Sequence, residues 1–407
     1  MRIAIANTWH DDNKGDCGIV VGTISLLQSR YPQAKFTLIS MFAQNSPFYS
    51  KAHRHLQQLF PKLDVVPSPF FSHDIKEQAT VYQKLAKFFP IPLSLLFLQL
   101  PSFPRHPGLR AIKEADLVIS SGGQYLRASK NQYKSLYVFF RLLYPLLVAQ
   151  KYNVPYIFFS QSFEFDAARR IDSRLMKSVC DRAVAVWARE PLSYKALQTL
   201  GVLPQKIALV PDAAISIVPC KSDRVTDLLT QHNFNSSPFW VVTIKDCQSH
   251  TPLLLAEMTQ LIKQLFASRM LSQLVLISNS QGPTTTEDDR LVARQLAQNL
   301  EGKPVAVIEE DLTPNELAAI YGEAKFAIGT RFQSLILALA ASTPVYGISY
   351  AGYKVKGLMD MLEMPELYSS VGNLKADRIL QQLQTIDLPK LSQEVSQQVK
   401  LLQQQLN

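Results

Sequence analysis

The sequence contains no run of five or six lysines or arginines, so nothing in it reads as a nucleic-acid-binding arm. It has no C-x-x-C pair. Its four cysteines, Cys17, Cys180, Cys220 and Cys247, stand far apart, which argues against a zinc site and against a disulfide framework. It also lacks the roughly 18–20 clean apolar residues that a membrane span needs. The two longest apolar stretches are FFPIPLSLLFLQLPSF (88–103) and LYVFFRLLYPLLVAQ (136–150). Prolines break the first; Arg141 and Pro145 interrupt the second. The second reads as a buried helix. The first reads as core packing, with a hydrophobic lid or a membrane-surface contact as the alternative. G-x-G-x-x-G and the P-loop are missing as well, which counts against a dinucleotide or NTP-phosphate site. The opening MRIAIANTWH is too short an apolar run for a signal peptide. The expected setting is therefore reducing and cytoplasmic.

What is present is a globular composition: 407 residues, 47% hydrophobic and 18% charged. That length exceeds one ordinary domain and fits two of about 200 residues each. The net charge of +9 is scattered. It suits an anionic small substrate or an anionic membrane surface, although a solvated basic surface explains most of it equally well.

Short β-rich runs alternate with helical stretches. RIAIAN (2–7), KFTLIS (35–40), DLVISS (116–121), PYIFFS (155–160), AVAVWA (183–188) and IALVP (207–211) read as strands of a first series. WVVTIK (240–245), LVLIS (274–278), VAVIEE (305–310), FAIGT (326–330) and PVYGISY (344–350) form a second. Near-continuous apolar strands between helices predict parallel sheets covered on both faces, and right-handed crossovers then give doubly wound α/β domains. The pattern lapses around residues 217–238, where two prolines, serines and asparagines gather. The expected domains are 1–220, 238–390 and a polar amphipathic helix over 391–407. Two Rossmann-like domains would face each other across a cleft, with ligands at the C-terminal ends of the strands. Thr313-Pro314-Asn315-Glu316 has the form of a capping box with proline at the first helical position.

Five segments at strand ends carry candidate chemistry. Asn13, Gly15 and Asp16 form a loop after the first strand; Gly15 lets the backbone approach a ligand, and Asp16 alternatively only caps the helix. In SSGGQY, Gly122, Gly123 and Gln124 offer an anion- or hydroxyl-binding nest or a plain turn. Gln161 follows the strand that ends at Ser160. Arg189 ends a strand ahead of Glu190-Pro191, placed to hold a carboxylate or phosphate, or to pair with Glu190. The fifth segment is AIGTRFQSLILALAASTPVYGISYAGYK (327–354). There Gly329 ends a strand, Arg331 stands directly before an apolar helix that begins with Gln333 and Ser334, and Lys354 opens the next helix. A helix N-terminus flanked by two cations makes a site for a compact di- or trianion. The cysteine spacing gives no metal site.

These segments, in order, are what the chain shares with the polysaccharide pyruvyl transferase family, which it resembles over nearly its whole length. The shared features are N-x-G-D (13–16), DLVISSGG, SQS, ARE with Ser193 following, PDAA (211–214), NELAAIYGEAKFAIGTRF and ALAASTPVYGISYAGYKVKGLMDML. The resemblance implies a fold similar to GT-B glycosyltransferases, with no metal and no cofactor. It also implies transfer of the enolpyruvyl unit of phosphoenolpyruvate onto sugar hydroxyls, giving a pyruvate ketal on a polysaccharide or its precursor. Arg331, Ser334, Lys354, Arg189 and Gly329 would then bind the donor. Asn13, Gly15, Asp16, Gly122, Gly123, Gln124 and Gln161 would bind a sugar or lipid-linked oligosaccharide acceptor. Arg331, Gln333 and Arg189 would stand at the chemistry, in an enzyme of exopolysaccharide or cell-envelope synthesis, cytoplasmic or peripheral at the inner face of the membrane.

At one point the chain departs from the family pattern. The pattern after the strand is R-x-H, with the histidine as candidate acid; here it is Arg331-Phe332-Gln333. Glutamine cannot supply a proton near neutral pH. Another residue transfers the proton, the donor differs, or activity is lost. His10 and His250 follow predicted strands and are substitutes, with ordinary loop histidines as the alternative; Glu190, Asp212 and Glu310 are carboxylate candidates. Two rival readings stay open: a nucleotide-sugar glycosyltransferase of the same architecture, and a non-catalytic sugar-binding protein of polysaccharide assembly.

Overall fold

A computed structural model describes residues 1–70, 94, 96, 98, 106–128, 132–165, 170–234, 237–350, 352 and 354–406. The chain divides into two compact units. Residues 1–11 and 23–212 make the first; residues 12–22 and 213–407 make the second.

In the first unit, β1 (Arg2–Thr8), β2 (Lys35–Ser40), β3 (Asp64–Val66), β4 (Leu117–Ser120), β5 (Gly123–Arg127), β6 (Tyr156–Glu164), β7 (Ala185–Ala188) and β8 (Ile207–Leu209) form one sheet. Its order is β3-β2-β1-β4-β6-β7-β8, with β5 on β6, and its pairs are parallel. In the second unit, β9 (Phe239–Thr243), β10 (Gln273–Ile277), β11 (Val305–Ile308), β12 (Phe326–Gly329), β13 (Val345–Ser349) and β14 (Tyr368–Ser370) run in the order β11-β10-β9-β12-β13-β14, again parallel. Both are doubly wound, as the alternating sequence pattern predicts. Every residue of β9, β12 and β13 is buried, because helices cover both faces of a parallel sheet. In the second sheet the strand order reverses between β9 and β12. A crevice opens at the carboxyl ends of such a pair.

Three short strands, β3, β5 and β14, have no counterpart in the sequence reading. Gly122-Gly123 reads as a turn, yet Gly123 at φ +142° pairs with Gln161 and begins β5. Similarly, Ser160 adopts φ +53° and shifts the register. β6 thus continues through Gln161 and Ser162 to Glu164 instead of ending at 160. The 136–150 stretch lies within the helix Gln132–Lys151, with Leu142, Leu143, Tyr144 and Leu146 fully buried. Of 88–103 only Ser94, Leu96 and Leu98 are described, so the lid or membrane-contact expectation lies outside the described residues. No described helix is long and apolar enough to cross a membrane.

Helix α1 (Lys14–Arg30) begins in the second unit and passes into the first at residue 23. Glycines at 15, 18 and 22 line its first half. A Cβ on Gly22 would stand 2.1 Å from the Ala213 carbonyl oxygen; one on Gly18 would meet Ile217, Ala214 and Leu337. The helix therefore lies directly on backbone and core of its own unit. The last helix, Leu388–Gln404, turns Leu391, Val395, Val399 and Leu402 inward at helical spacing. The Gln403 amide donates to Ile215 O at 2.8 Å. Gly22→Ala is expected to destabilise the protein by about 1–3 kcal/mol, the usual cost of overpacking. Gly372→Ala is the control, since nothing lies within 4 Å of its added Cβ. Urea midpoints measured on both variants check this: the first should fall and the second should not.

Candidate functional site

The site in the second unit is built on the carboxyl ends of β9, β10, β12 and β13. Arg331 follows β12 and is the N-cap residue of the apolar helix Phe332–Ala340, in extended conformation. Its side chain does not cap that helix. Instead Nε donates to both Asp289 oxygens at 2.9 and 2.7 Å, and Nη2 donates to Asp289 Oδ1 at 2.7 Å and to Glu287 O at 3.1 Å. Asp289 is 1% exposed and opens the helix Asp289–Asn299. It also accepts from the amides of Asn279 (3.2 Å) and Ser280 (3.0 Å), just past β10. Burial pushes the Asp289 carboxyl up, against the pull of Arg331 and the Ser280 amide. On Arg331 burial acts downward, but the Asp289 charge outweighs it and holds the guanidinium up. Forked geometry of this kind is the strong form of the ion pair.

Thr330 ties the neighbouring strand end in place. Its Oγ1 accepts from Lys245 N at 2.9 Å, and its amide donates to Thr243 O at 3.0 Å. Lys245, two residues beyond β9, thereby comes beside Tyr350, which follows β13. Lys245 Nζ stands 4.1 Å from the Tyr350 ring centroid. Lys354 Nζ lies 5.8 Å from the same ring and 5.7 Å from that of Phe332. Burial alone would raise the Tyr350 phenol, but Lys354, Lys245 and Arg331 outweigh it and lower its pKa. Three cations thus surround one phenol, and the carboxylate of Asp289 is turned to Arg331.

Gln333 is buried against the N-x-G-D loop. A Cβ on Gly15 would lie 2.2 and 2.3 Å from Gln333 Cγ and Cβ, so only glycine admits that side chain here. Asn13 Oδ1 accepts from Gly15 N at 3.1 Å, and its Nδ2 donates to Asp16 Oδ2 at 2.8 Å. Asn13 forms a bridge with Ser280, and Lys14 N donates to Asn279 O at 2.9 Å. Lys14, buried, reaches Asp311 past β11. The structure therefore brings Asn13, Gly15 and Asp16 together with Arg331, Gln333, Ser334, Gly329 and Lys354. Ser334 Oγ donates to Arg331 O at 2.6 Å. A Cβ on Gly329 would stand 2.5 Å from that hydroxyl and 2.8 Å from Leu335 Cδ2, so this glycine lets strand and helix close on each other.

Arg189, Gly122, Gly123, Gln124 and Gln161 all belong to the first unit. Arg189 is 4% exposed. Its Nε donates to Ser162 Oγ at 2.6 Å, its Nη1 to Asp212 Oδ2 at 2.7 Å, and Glu190 lies 3.4 Å away. Ser162 donates to Glu190 at 3.0 Å, and Ser193 donates to the other Glu190 oxygen. Burial pushes the Glu190 carboxyl up, against Arg189. One buried arginine among these partners ties β6, β7 and the Asp212 segment together. Gln161 donates to Gly123 O at 2.5 Å and to Ser162 O at 3.1 Å, while Gln124 reaches Glu164 at 3.3 Å. Among the proton-donor candidates, His10 is 7% exposed at the end of β1. His250 is exposed ahead of the helix Thr251–Ala267. Glu310 accepts from Glu309 N at 3.0 Å. No group of three His, Cys, Asp or Glu able to hold a metal occurs among the described residues.

Sequence reasoning missed Asp289, Lys245 and Tyr350. Lys245 ends an apolar strand just as Arg189 does, and the same argument applied there would have found it. Asp289 hides in Asp288-Asp289, which reads as helix capping; Asp288 does cap, accepting from Arg290 N at 3.1 Å. Asp289→Ala would strand the Arg331 charge and is expected to cost about 3–5 kcal/mol. The paired variant Asp289→Leu/Arg331→Met should lie closer to wild type, and chemical denaturation of the two checks the difference.

A comparison with curated proteins finds no match. The fold has many solved relatives. A UDP-N-acetylglucosamine 2-epimerase assigned in Listeria monocytogenes superimposes at TM-score 0.59 and 11% identity, over 98% of this chain and 90% of that one. Anabaena HepE, in complex with UDP and glucose, superimposes at TM-score 0.55 and 13% identity, over 100% and 96%. A glycosyltransferase from Rickettsia africae gives 0.56 and 10%, over 100% and 95%. These are similar to this chain in fold, that of the GT-B glycosyltransferases and epimerases. In sequence, the family model for polysaccharide pyruvyl transferase matches residues 13–352. That span begins at the Asn13 loop and takes in the Arg331 site and the strands of both sheets other than β1 and β14, and on it the chain belongs to the polysaccharide pyruvyl transferase family.

Proposed function

We propose that the protein transfers the pyruvyl unit of phosphoenolpyruvate to a sugar diol of a polysaccharide or its precursor, forming a pyruvate ketal. The observation that carries this reading is the cation cluster Lys245, Arg331 and Lys354, set at the strand reversal of the second sheet beside a helix N-terminus. Phosphoenolpyruvate is compact and carries both a phosphate and a carboxylate. Two lysines serve a phosphate as point charges, and Arg331, whose fork is turned to Asp289, adds its charge beside them. The same charges stabilise the phosphate as it leaves. Asn13, Gly15 and Asp16 lie in the same unit as this cluster, so their proposed acceptor role places the sugar next to the donor. In the other unit, the proposed roles fall to Gly122, Gly123, Gln124 and Gln161 on the acceptor. The proposed setting is cytoplasmic, in cell-envelope or exopolysaccharide synthesis.

A second reading, a nucleotide-sugar glycosyltransferase, draws on the Anabaena structures, which hold UDP, UDP-glucose or UDP and glucose. There the cations would hold a diphosphate.

Incubation with phosphoenolpyruvate and an oligosaccharide acceptor should release inorganic phosphate and give a ketal methyl signal by NMR. Release of UDP from a UDP-sugar, with no ketal, supports the second reading instead. Lys245→Ala should weaken phosphoenolpyruvate binding by about 10-fold or more, and Arg331→Glu by at least roughly 30-fold, as removal of a desolvated charge partner does. Unchanged binding in both variants would refute the placement.

A further inference from the structure

We propose that the Tyr350 phenol is the proton donor of the transfer, the role that Gln333 cannot fill. This rests on the reading of the Lys245–Arg331–Lys354 cluster as the donor site. Tyr350 leaves β13 at the same sheet edge as Lys245 and Arg331. Unlike Arg331's partner Asp289, it is only half-buried. The charged groups that face it come from three elements: Lys245 beyond β9, Arg331 ahead of the helix Phe332–Ala340, and Lys354 at the start of the helix Lys354–Met361. These cations favour the phenolate, which makes the phenol a stronger acid than tyrosine in water. A bound donor anion offsets part of that field and keeps the phenol protonated until transfer. The alternatives nearby are weaker. Cys247 is buried, its thiol is pushed up to about 11, and it donates to Lys245 O at 3.6 Å. Gln333 has no acidic proton.

In the step itself, the phenol O–H bond breaks and a C–H bond forms at the methylene carbon, which becomes the methyl group. C2 becomes electrophilic, and the first sugar hydroxyl bonds to it. Its proton returns to the phenolate, which Lys245 and Lys354 have stabilised meanwhile. The C2–O bond to phosphate breaks and the second hydroxyl takes its place, its proton leaving on inorganic phosphate. No oxidant, metal or further reactant is consumed.

Tyr350→Phe, with phosphoenolpyruvate as probe, tests this. General acid catalysis is worth about 10²–10⁴-fold. Ketal formation should fall by that factor, while the phosphoenolpyruvate Kd stays within roughly threefold. Wild-type activity should also fall on the alkaline side as the phenol loses its proton, with the limb below the ordinary tyrosine pKa of about 10. The residual activity of Tyr350→Phe should lack that limb. A merely structural tyrosine would shift Kd and leave the limb in place. Turnover by Tyr350→Phe at a third or more of the wild-type rate overturns the role of Tyr350 and leaves the donor site standing. Failure of the wild-type protein to bind phosphoenolpyruvate overturns both.

Discussion

The second unit depends on one buried ion pair. Arg331 leaves β12 where the chain must become helix, and Asp289 starts the helix that follows β10. Their forked contact, with two backbone amides on the same carboxylate, links the chain just past β10 to the chain just past β12, on either side of β9. A buried pair of this kind adds little net stability over apolar residues of equal size, but losing either partner is costly. What it contributes is position. It sets the direction from which the helix Phe332–Ala340 starts, and with it the place of Gln333 against Gly15 and of the Thr330–Lys245 link. The N-x-G-D loop joins this assembly through Asn13, Ser280 and Asn279.

Much of the fold was legible because parallel, two-sided burial leaves a simple mark. Strands such as Phe239–Thr243 and Val345–Ser349 are mostly apolar and buried throughout, and the Thr313–Glu316 box marks its helix start with reciprocal bonds at 2.8 and 3.2 Å. β5 and the second half of β6 were not legible. There, Gly122-Gly123 and the left-handed Ser160 mimic a turn, and only pairing between distant segments shows that the strands go on. The grouping of residues 12–22 with the second unit is another long-range fact. The glycines at 15, 18 and 22 carry its trace, but nothing local says which surface they lie on.

The site was legible where its cations sit next to apolar elements, as Arg331 and Lys354 do. It was illegible where the candidate site depends on a partner far along the chain. Asp289 is 42 residues from Arg331, and the acidic pair 288–289 looks like capping. Tyr350 looks like the last apolar residue of a strand; its neighbourhood of cations exists only after β9, β12 and β13 are set side by side. Arg189 shows the converse. Sequence placed it at a strand end, and it is there, but its guanidinium is engaged by Ser162 and Asp212 within the first unit.

On the proposed reading, this cationic strand edge receives a compact carboxylate-bearing phosphate. Calorimetric titration of the 407-residue protein with phosphoenolpyruvate, alongside UDP and GDP, tests this most directly. Phosphoenolpyruvate should bind saturably, more weakly as salt is raised, and the nucleotides should bind more weakly or not at all. Tight binding of a nucleotide with none of phosphoenolpyruvate would contradict it, and would assign the same cations to a glycosyl donor.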